Sequence, residues 1–203
     1  MPGFAKGALL LLAAVCALRA DPARAVTPAE LRAAVADSAV LRAADGVRRF
    51  YEARGYRPAW TGPGTDPRNS ALAALRKAIA AAEMHGLVPA DYHPAALGPT
   101  AAARRPVTAE ILATDAYLTL GAHLLGGRLD PVTIQPGWSA PRPSRDLAAH
   151  LSAALAAGRV AESLDALAPD IPSYRALRRA LARYRGIAAA GGWPRVPPGP
   201  ALR

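Results

Sequence analysis

The sequence predicts an all-α fold, and three observations carry that prediction. Alanine is abundant while aromatic residues make up only 5% of the chain, a balance that favours helices packed closely through small side chains over strands built from β-branched and aromatic residues. Apolar residues recur at three- and four-residue intervals, the period of one helix face. Glycine and proline stand at the ends of those runs, where helices stop and start. With 203 residues, 52% of them hydrophobic, the chain is long enough for one domain with a real core and too short for two large ones.

The first stretch reads as an address. Lys6 gives a positive start, Ala8 to Leu18 is an apolar run, and Ala23-Arg24-Ala25 offers the small residues of a signal-peptidase site. Cleavage is expected after Ala25. The run is shorter than the roughly 20 residues that span a bilayer, and no later stretch is apolar for that length, so the mature chain is expected to have no transmembrane span and to reside in the periplasm. The predicted division is a signal peptide at 1–25, a helical domain at 26–192 and a proline-rich linker or tail at 193–203.

Cys16, the only cysteine, falls inside the signal. Its removal leaves no thiol for a disulfide, a nucleophile or a thiolate metal site. A lipidated Cys16 is the competing reading, but Val15 before it fits poorly with the small residue expected there. The formal charge of +10 falls to +8 once Lys6, Arg19, Arg24 and Asp21 are removed. Arginine carries nearly all of it, most densely at Arg175, Arg178, Arg179, Arg183 and Arg185. Such charge suits nucleic acid, anionic head groups or cell-wall carboxylates, or simply a solvated helix flank, and export sets nucleic acid aside.

In order along the chain, Thr27-Pro28-Ala29-Glu30 has the layout of a capping box, so a helix is expected over about 28–36. A second runs from Val40 through Val47 and Tyr51 to Gly55, weakened at Gly46. Proline makes Tyr56-Arg57-Pro58-Ala59-Trp60 extended, and Thr61 to Arg68 is a turn-rich loop. Phe50, Tyr51, Tyr56 and Trp60 form the densest aromatic cluster, read either as a hydrophobic corner or as a stacking face for sugar or a partner. Asn69-Ser70 is expected to cap a helix carrying Leu72, Leu75 and Ile79, ended by His85-Gly86. A compact connection, Leu87 to Pro94, follows. Glu83, His85, Asp91 and His93 there lack the spacing of a helical zinc pair, so no metal, cofactor or catalytic residue is assigned.

The longest helical pattern is expected from Thr108, as its cap, to Gly126-Gly127. Ile111, Leu112, Leu118, Ala122 and Leu125 make its stripe; Asp115, Thr119 and His123 form a polar column beside it, expected to hydrogen-bond between helices. Beyond it, Trp138 among prolines is expected to cover an apolar surface. Ser144 is expected to open a helix carrying Leu147, Leu151 and Leu155 that closes at Gly158, and a short helix follows around Val160 to Leu167. The last helix opens at Pro172, with Tyr174, Leu177, Leu181, Tyr184 and Ala188 expected inward and arginines on both flanks.

These stretches resemble the N-terminal helical scaffold domain of the large murein L,D-transpeptidases of Gram-negative bacteria. The resemblance rests on Phe50-Tyr51, Arg54, Tyr56, Pro58 and Trp60; on His85-Gly86-Leu87, Pro89 and Asp91-Tyr92; and on Thr114-Asp115, Leu118, Gly127-Arg128 and Pro131. It continues through Pro172, Tyr174, Leu177-Arg178, Leu181 and Tyr184-Arg185 to Gly191-Gly192-Trp193-Pro194. It implies a non-catalytic scaffold for peptidoglycan cross-linking, partnered in cis or in trans by a transpeptidase catalytic domain whose cysteine takes an acyl group from a peptide stem, with peptidoglycan itself as a further partner. Two other classes compete. A glycan-binding module would stack Tyr56, Trp60 or Trp138 on sugar, and a muramidase-type hydrolase would need a protonated acid such as Glu52, Glu83 or Glu110 in an apolar pocket.

Overall fold

The computed structural model describes residues 25–37, 41–194 and 199; within them every regular element is a helix. The order is α1 (Pro28–Ala36), α2 (Ala44–Ala53), α3 (Pro67–Ala81), α4 (Pro99–Arg104), α5 (Pro106–Gly126), α6 (Pro131–Ile134), α7 (Leu147–Ala156), α8 (Val160–Asp165) and α9 (Pro172–Ala189), with single 3₁₀ turns at Ala82–His85 and Pro89–Tyr92. The chain is therefore all-α, as its composition and periodicity predict. All of the expected signal except Ala25, and most of the expected tail, lie outside the described residues.

Helix α5 is the post around which the others stand. From Ala109 to Gly121 only Leu112 escapes full burial, because α1, α2, α3, α4, α7 and α8 all pack against it. A helix enclosed on every side must be apolar on every side, which is why its pattern is richer than a single stripe. Its start differs from the expected one. Pro106 takes the first turn and α4 runs into it through Arg105 alone, so Thr108 is an exposed interior position and caps nothing. The end is as predicted: Gly126 is the last helical residue and Gly127 turns away at φ 82°.

Around the post, α1 carries the predicted capping box between Thr27 and Glu30 and buries Leu31 and Val35. Val26, just before it, is also buried in the core. Gly46 is less a weakness than a crossing point, since a Cβ there would stand 2.9 Å from Leu118 Cδ1, where α2 passes over α5. Two helix starts are shifted from the sequence reading. Asp66, not Asn69, caps α3 by accepting from Arg68 N–H, while the Asn69 side chain ties back the preceding loop at Gly62 and Gly64. Asp146 is itself the cap of α7, accepting from Ala148 and Ala149 N–H, and does not sit in the first turn.

Two expectations about burial are overturned. Trp138 is 47% exposed, because the proline-bound segment that carries it lies on the outside from Val132 to Asp146. In α9 no residue is buried. Tyr174 and Leu181 are half-buried, whereas Leu177 (68% exposed), Tyr184 (50%) and Ala188 face outward, since the helix touches the rest of the domain along one side only, at the 3₁₀ turn Ala82–His85.

Candidate functional site

The residues singled out by sequence gather into two clusters, both anchored on α5. The first is built by the turn after α2. Gly55 (φ 60°) and Tyr56 (φ 57°) reverse the chain in succession, and Tyr56 N–H closes the turn on Tyr51 carbonyl at 2.8 Å. Arg54 braces the next residues, donating to the carbonyls of Arg57 (2.7 Å) and Pro58 (3.0 Å). Tyr56 is half-buried under the guanidinium of Arg32, 4.7 Å from its ring. Ala59-Trp60-Thr61 is thereby laid against α5, and the run expected to be extended from Tyr56 instead starts in a left-handed turn at Tyr56 and bends at Ala59 and Trp60.

At that point α5 presents Glu110, fully buried. Its Oε1 accepts from Trp60 N (2.9 Å), Thr61 N (2.6 Å) and Thr61 Oγ1 (2.8 Å), and its Oε2 accepts from Ala59 N (2.8 Å) and Tyr51 Oη (2.9 Å). One turn on, Thr114 Oγ1 accepts from Trp60 Nε1 at 2.9 Å and lies 3.1 Å from Tyr51 Oη. Burial first, and then the Glu110 charge, push the Tyr51 phenol well above its ordinary range, so Tyr51 remains a hydrogen-bond donor. Buried charge is tolerable only when its lone pairs are filled, and here five donors fill them, with Arg54 and Arg68 near enough to feel the carboxylate.

Three backbone N–H groups converging on an anion is the arrangement that stabilises oxyanions in acyl-transfer enzymes. In this chain the anion is the protein's own side chain, and no solvent reaches it. The arrangement is a staple. It gives a muramidase-type reading of Glu110 no geometry, since a general acid must touch the glycosidic oxygen. Glu52 and Glu83 are exposed, and the groove that Glu83 lines is shared with Arg175, Arg178, Arg179 and Arg185, surroundings that do not favour a protonated acid.

The second cluster lies farther along α5. Asp115, fully buried, accepts from Ala43 N–H at 2.7 Å, which caps the start of α2, and from His93 Nε2 at 2.8 Å. His93 reaches it because its backbone is left-handed, φ 54°. Asp91 is held between two arginines: Arg42 Nη2 stands 3.4 Å from Oδ1 and Arg128 Nη2 stands 3.0 Å from Oδ2, the latter close enough to pair but out of line for a hydrogen bond. Tyr92, buried and pushed up to about 12 by burial and then by Asp91, shares a 2.9 Å hydrogen bond with His123 Nδ1. The polar column of α5 thus does bond between segments at Asp115 and His123; Thr119 Oγ1 finds no partner among the described residues.

Burial, followed by Arg128 and Arg42, lowers the pKa of His123, and burial followed by Arg178 lowers that of His85. Their folded values lie below the unfolded 6.5 or so, so as pH falls through 6.5 the unfolded chain takes up protons first and stability is lost. Urea midpoints are expected to fall modestly between pH 7.5 and 5, and His123→Gln with His85→Gln is expected to flatten that slope.

The remaining sequence-selected residues stand apart. His85 Nδ1 bonds Tyr174 Oη at 2.7 Å, joining α9 to the body, and Trp193 is 63% exposed against Tyr184. Glu83, His85, Asp91 and His93 do not converge, and no group of three metal-ligating side chains occurs among the described residues. Sequence reading placed Glu110 only as a first-turn residue or a candidate acid, and did not connect Arg42 or Thr61 to either cluster. The one available signal was the four-residue step from Glu110 to Thr114, a second polar pair beside the column of Asp115, Thr119 and His123.

A family model described as Scaffold domain matches residues 45–181, more than half of the chain. The chain belongs to the Scaffold domain family. No curated protein and no solved structure matches it. The matched span of the scaffold domain opens at Asp45 in α2 and closes at Leu181 in α9, so it takes in the first cluster except Arg32 and the second except Arg42 and Ala43, whereas α1 and the last two turns of α9 lie outside it.

Proposed function

We propose that this scaffold domain is non-catalytic and serves L,D-transpeptidase cross-linking of peptidoglycan, supporting a transpeptidase catalytic domain in cis or in trans. One observation carries the reading. The family match covers the segment in which the transpeptidase-like residues Tyr51, Pro58, Trp60, Thr114, Asp115 and Arg128 lie, and there these residues bind one another or the backbone and hold the fold. A domain whose internal polar groups are committed to its own architecture offers shape and surface to a partner. The aromatic corner is not that surface, because Tyr51 and Trp60 are fully buried; the exposed 129–138 segment is.

The periplasm is the proposed location, following cleavage after Ala25. Val26 is the first core residue among those described, so every core residue described lies beyond the cut, and no helix among the described residues is long and apolar enough to cross a membrane.

The test is D-alanine release from a tetrapeptide stem by the chain alone, by an L,D-transpeptidase catalytic module alone, and by the two mixed or joined. None is expected from the chain, and a faster or more heat-stable module is expected when the two are joined or mixed. Release by the chain alone would overturn the non-catalytic reading, and no effect in either arrangement would overturn the scaffold one. The exposure of Trp138 favours a second reading, a sugar-stacking module; retention on purified sacculi, lost in Trp138→Ala, would support it.

A further inference from the structure

We infer that α9 is a membrane-surface helix, which seats the domain on an anionic phospholipid bilayer through an uncovered apolar stripe bordered by arginines. The inference is independent of the transpeptidase reading. It begins from how little of α9 the domain covers. One side is fastened to the turn Ala82–His85: Tyr174 Oη bonds His85 Nδ1 (2.7 Å), Arg178 Nε donates to Met84 carbonyl (3.3 Å), Arg185 donates to Glu83 carbonyl, and Leu181 lies over Gly86. At 100° per residue Leu177, Ala180, Tyr184 and Ile187 fall within a sector of about 80° beside the fastened side, with Ala180 and Ile187 half-buried. Leu177 and Tyr184 are exposed there, and Trp193 extends the line by packing on Tyr184 with ring centroids 5.6 Å apart.

Charge says what kind of surface completes it. Between Pro172 and Ala189 there are five arginines and no acidic residue. Arg175 is paired with Asp170, and Arg178 and Arg185 are engaged by backbone carbonyls. Arg179 and Arg183 make no ion pair among the described residues; Arg183 lies over the Tyr184 ring at 5.5 Å. A helix of this kind, with a basic polar side, an apolar line and an aromatic pair at its end, matches the requirements of the bilayer interface: the apolar line enters the acyl boundary, tyrosine and tryptophan sit at head-group level, and arginine stems reach lipid phosphates. A protein partner is less well matched, because single-sign charge along the whole helix sets no register, whereas a phospholipid surface needs none.

The experiment is co-sedimentation of the full chain with vesicles of phosphatidylglycerol and phosphatidylcholine, compared with pure phosphatidylcholine. The apolar run at 8–18 is common to the chain and all its variants, so the readout is the difference between lipids and between the chain and its variants. Arg179→Gln with Arg183→Gln is expected to lower partition into anionic vesicles by about tenfold and leave the neutral ones unchanged. Leu177→Ser with Tyr184→Ser is expected to weaken binding further and abolish the blue shift of Trp193 fluorescence on anionic vesicles. All four positions are exposed, so circular dichroism should be unchanged. Equal partition of the chain into both lipids, or arginine variants that bind as the parent does, would overturn the inference. So would a concentration-dependent dimer lost on Leu177→Ser, which would make a second copy the occupant.

Discussion

Glu110→Ala is expected to remove a large part of the domain's stability at 25 °C. The substitution removes the acceptor for five donors, of which the N–H groups of Ala59 and Trp60 and the Tyr51 hydroxyl are buried. A buried donor without a partner costs roughly 1–3 kcal/mol, and two orphaned backbone groups with the loss of charge-assisted bonds bring the total to about 4–6 kcal/mol. Domains of this size have a margin of only about 5–15 kcal/mol. Glu110→Gln keeps one oxygen for Trp60 and Thr61 but turns an amide NH₂ toward Ala59 N–H, so about half that loss is expected. Urea unfolding of the three proteins, followed by far-ultraviolet circular dichroism, measures both values.

Trp60→Ala is the second large effect, at about 3–5 kcal/mol for deleting a fully buried indole. It also strips Thr114 of the donor it accepts from at 2.9 Å. Trp60→Phe retains most of the apolar volume and loses that hydrogen bond alone, for about 1 kcal/mol. The series separates two meanings of an aromatic cluster. A stacking face for sugar would lose binding with little change in stability; the buried corner seen here loses stability first. Calorimetric Tm values distinguish them, because a loss of about 4 kcal/mol lowers the Tm of a domain this size by roughly 10 °C.

Much of the helical layout was legible because local rules govern it. The capping box at Thr27 and Glu30, the stop at Gly126-Gly127 and the left-handed Gly86 all follow from side-chain chemistry within a few residues. What escaped depends on distance. Periodicity in α9 correctly gives an apolar line, but it cannot say whether anything lies opposite, and among the described residues Leu177 stays exposed and Tyr184 meets only Trp193 and Arg183. Thr108 has the right chemistry for a cap, yet Pro106 and the unpredicted α4 start the helix before it. Glu110 and its donors at 59–61 are about fifty residues apart, so no spacing rule joins them; only the fold does.

That separation explains why the same residues read differently before and after folding. In sequence, Tyr51, Trp60, Thr114 and Asp115 look like a polar and aromatic set available for binding. In three dimensions each is enclosed, and Glu110 and Asp115 act as two staples from one helix, the first holding the segment after α2 and the second capping the residue that begins it. Surface function is left to α9, to Trp138 and to Trp193.

Amide hydrogen exchange at Ala59, Trp60 and Thr61 tests the central claim, that Glu110 is occupied by the protein's own backbone and unavailable for chemistry. Protection of Ala59 and Trp60 close to that set by global unfolding, with Thr61 only slightly less, is predicted. Exchange of all three within the time of an unprotected loop would contradict it, by showing the carboxylate to be released from its donors in the native state.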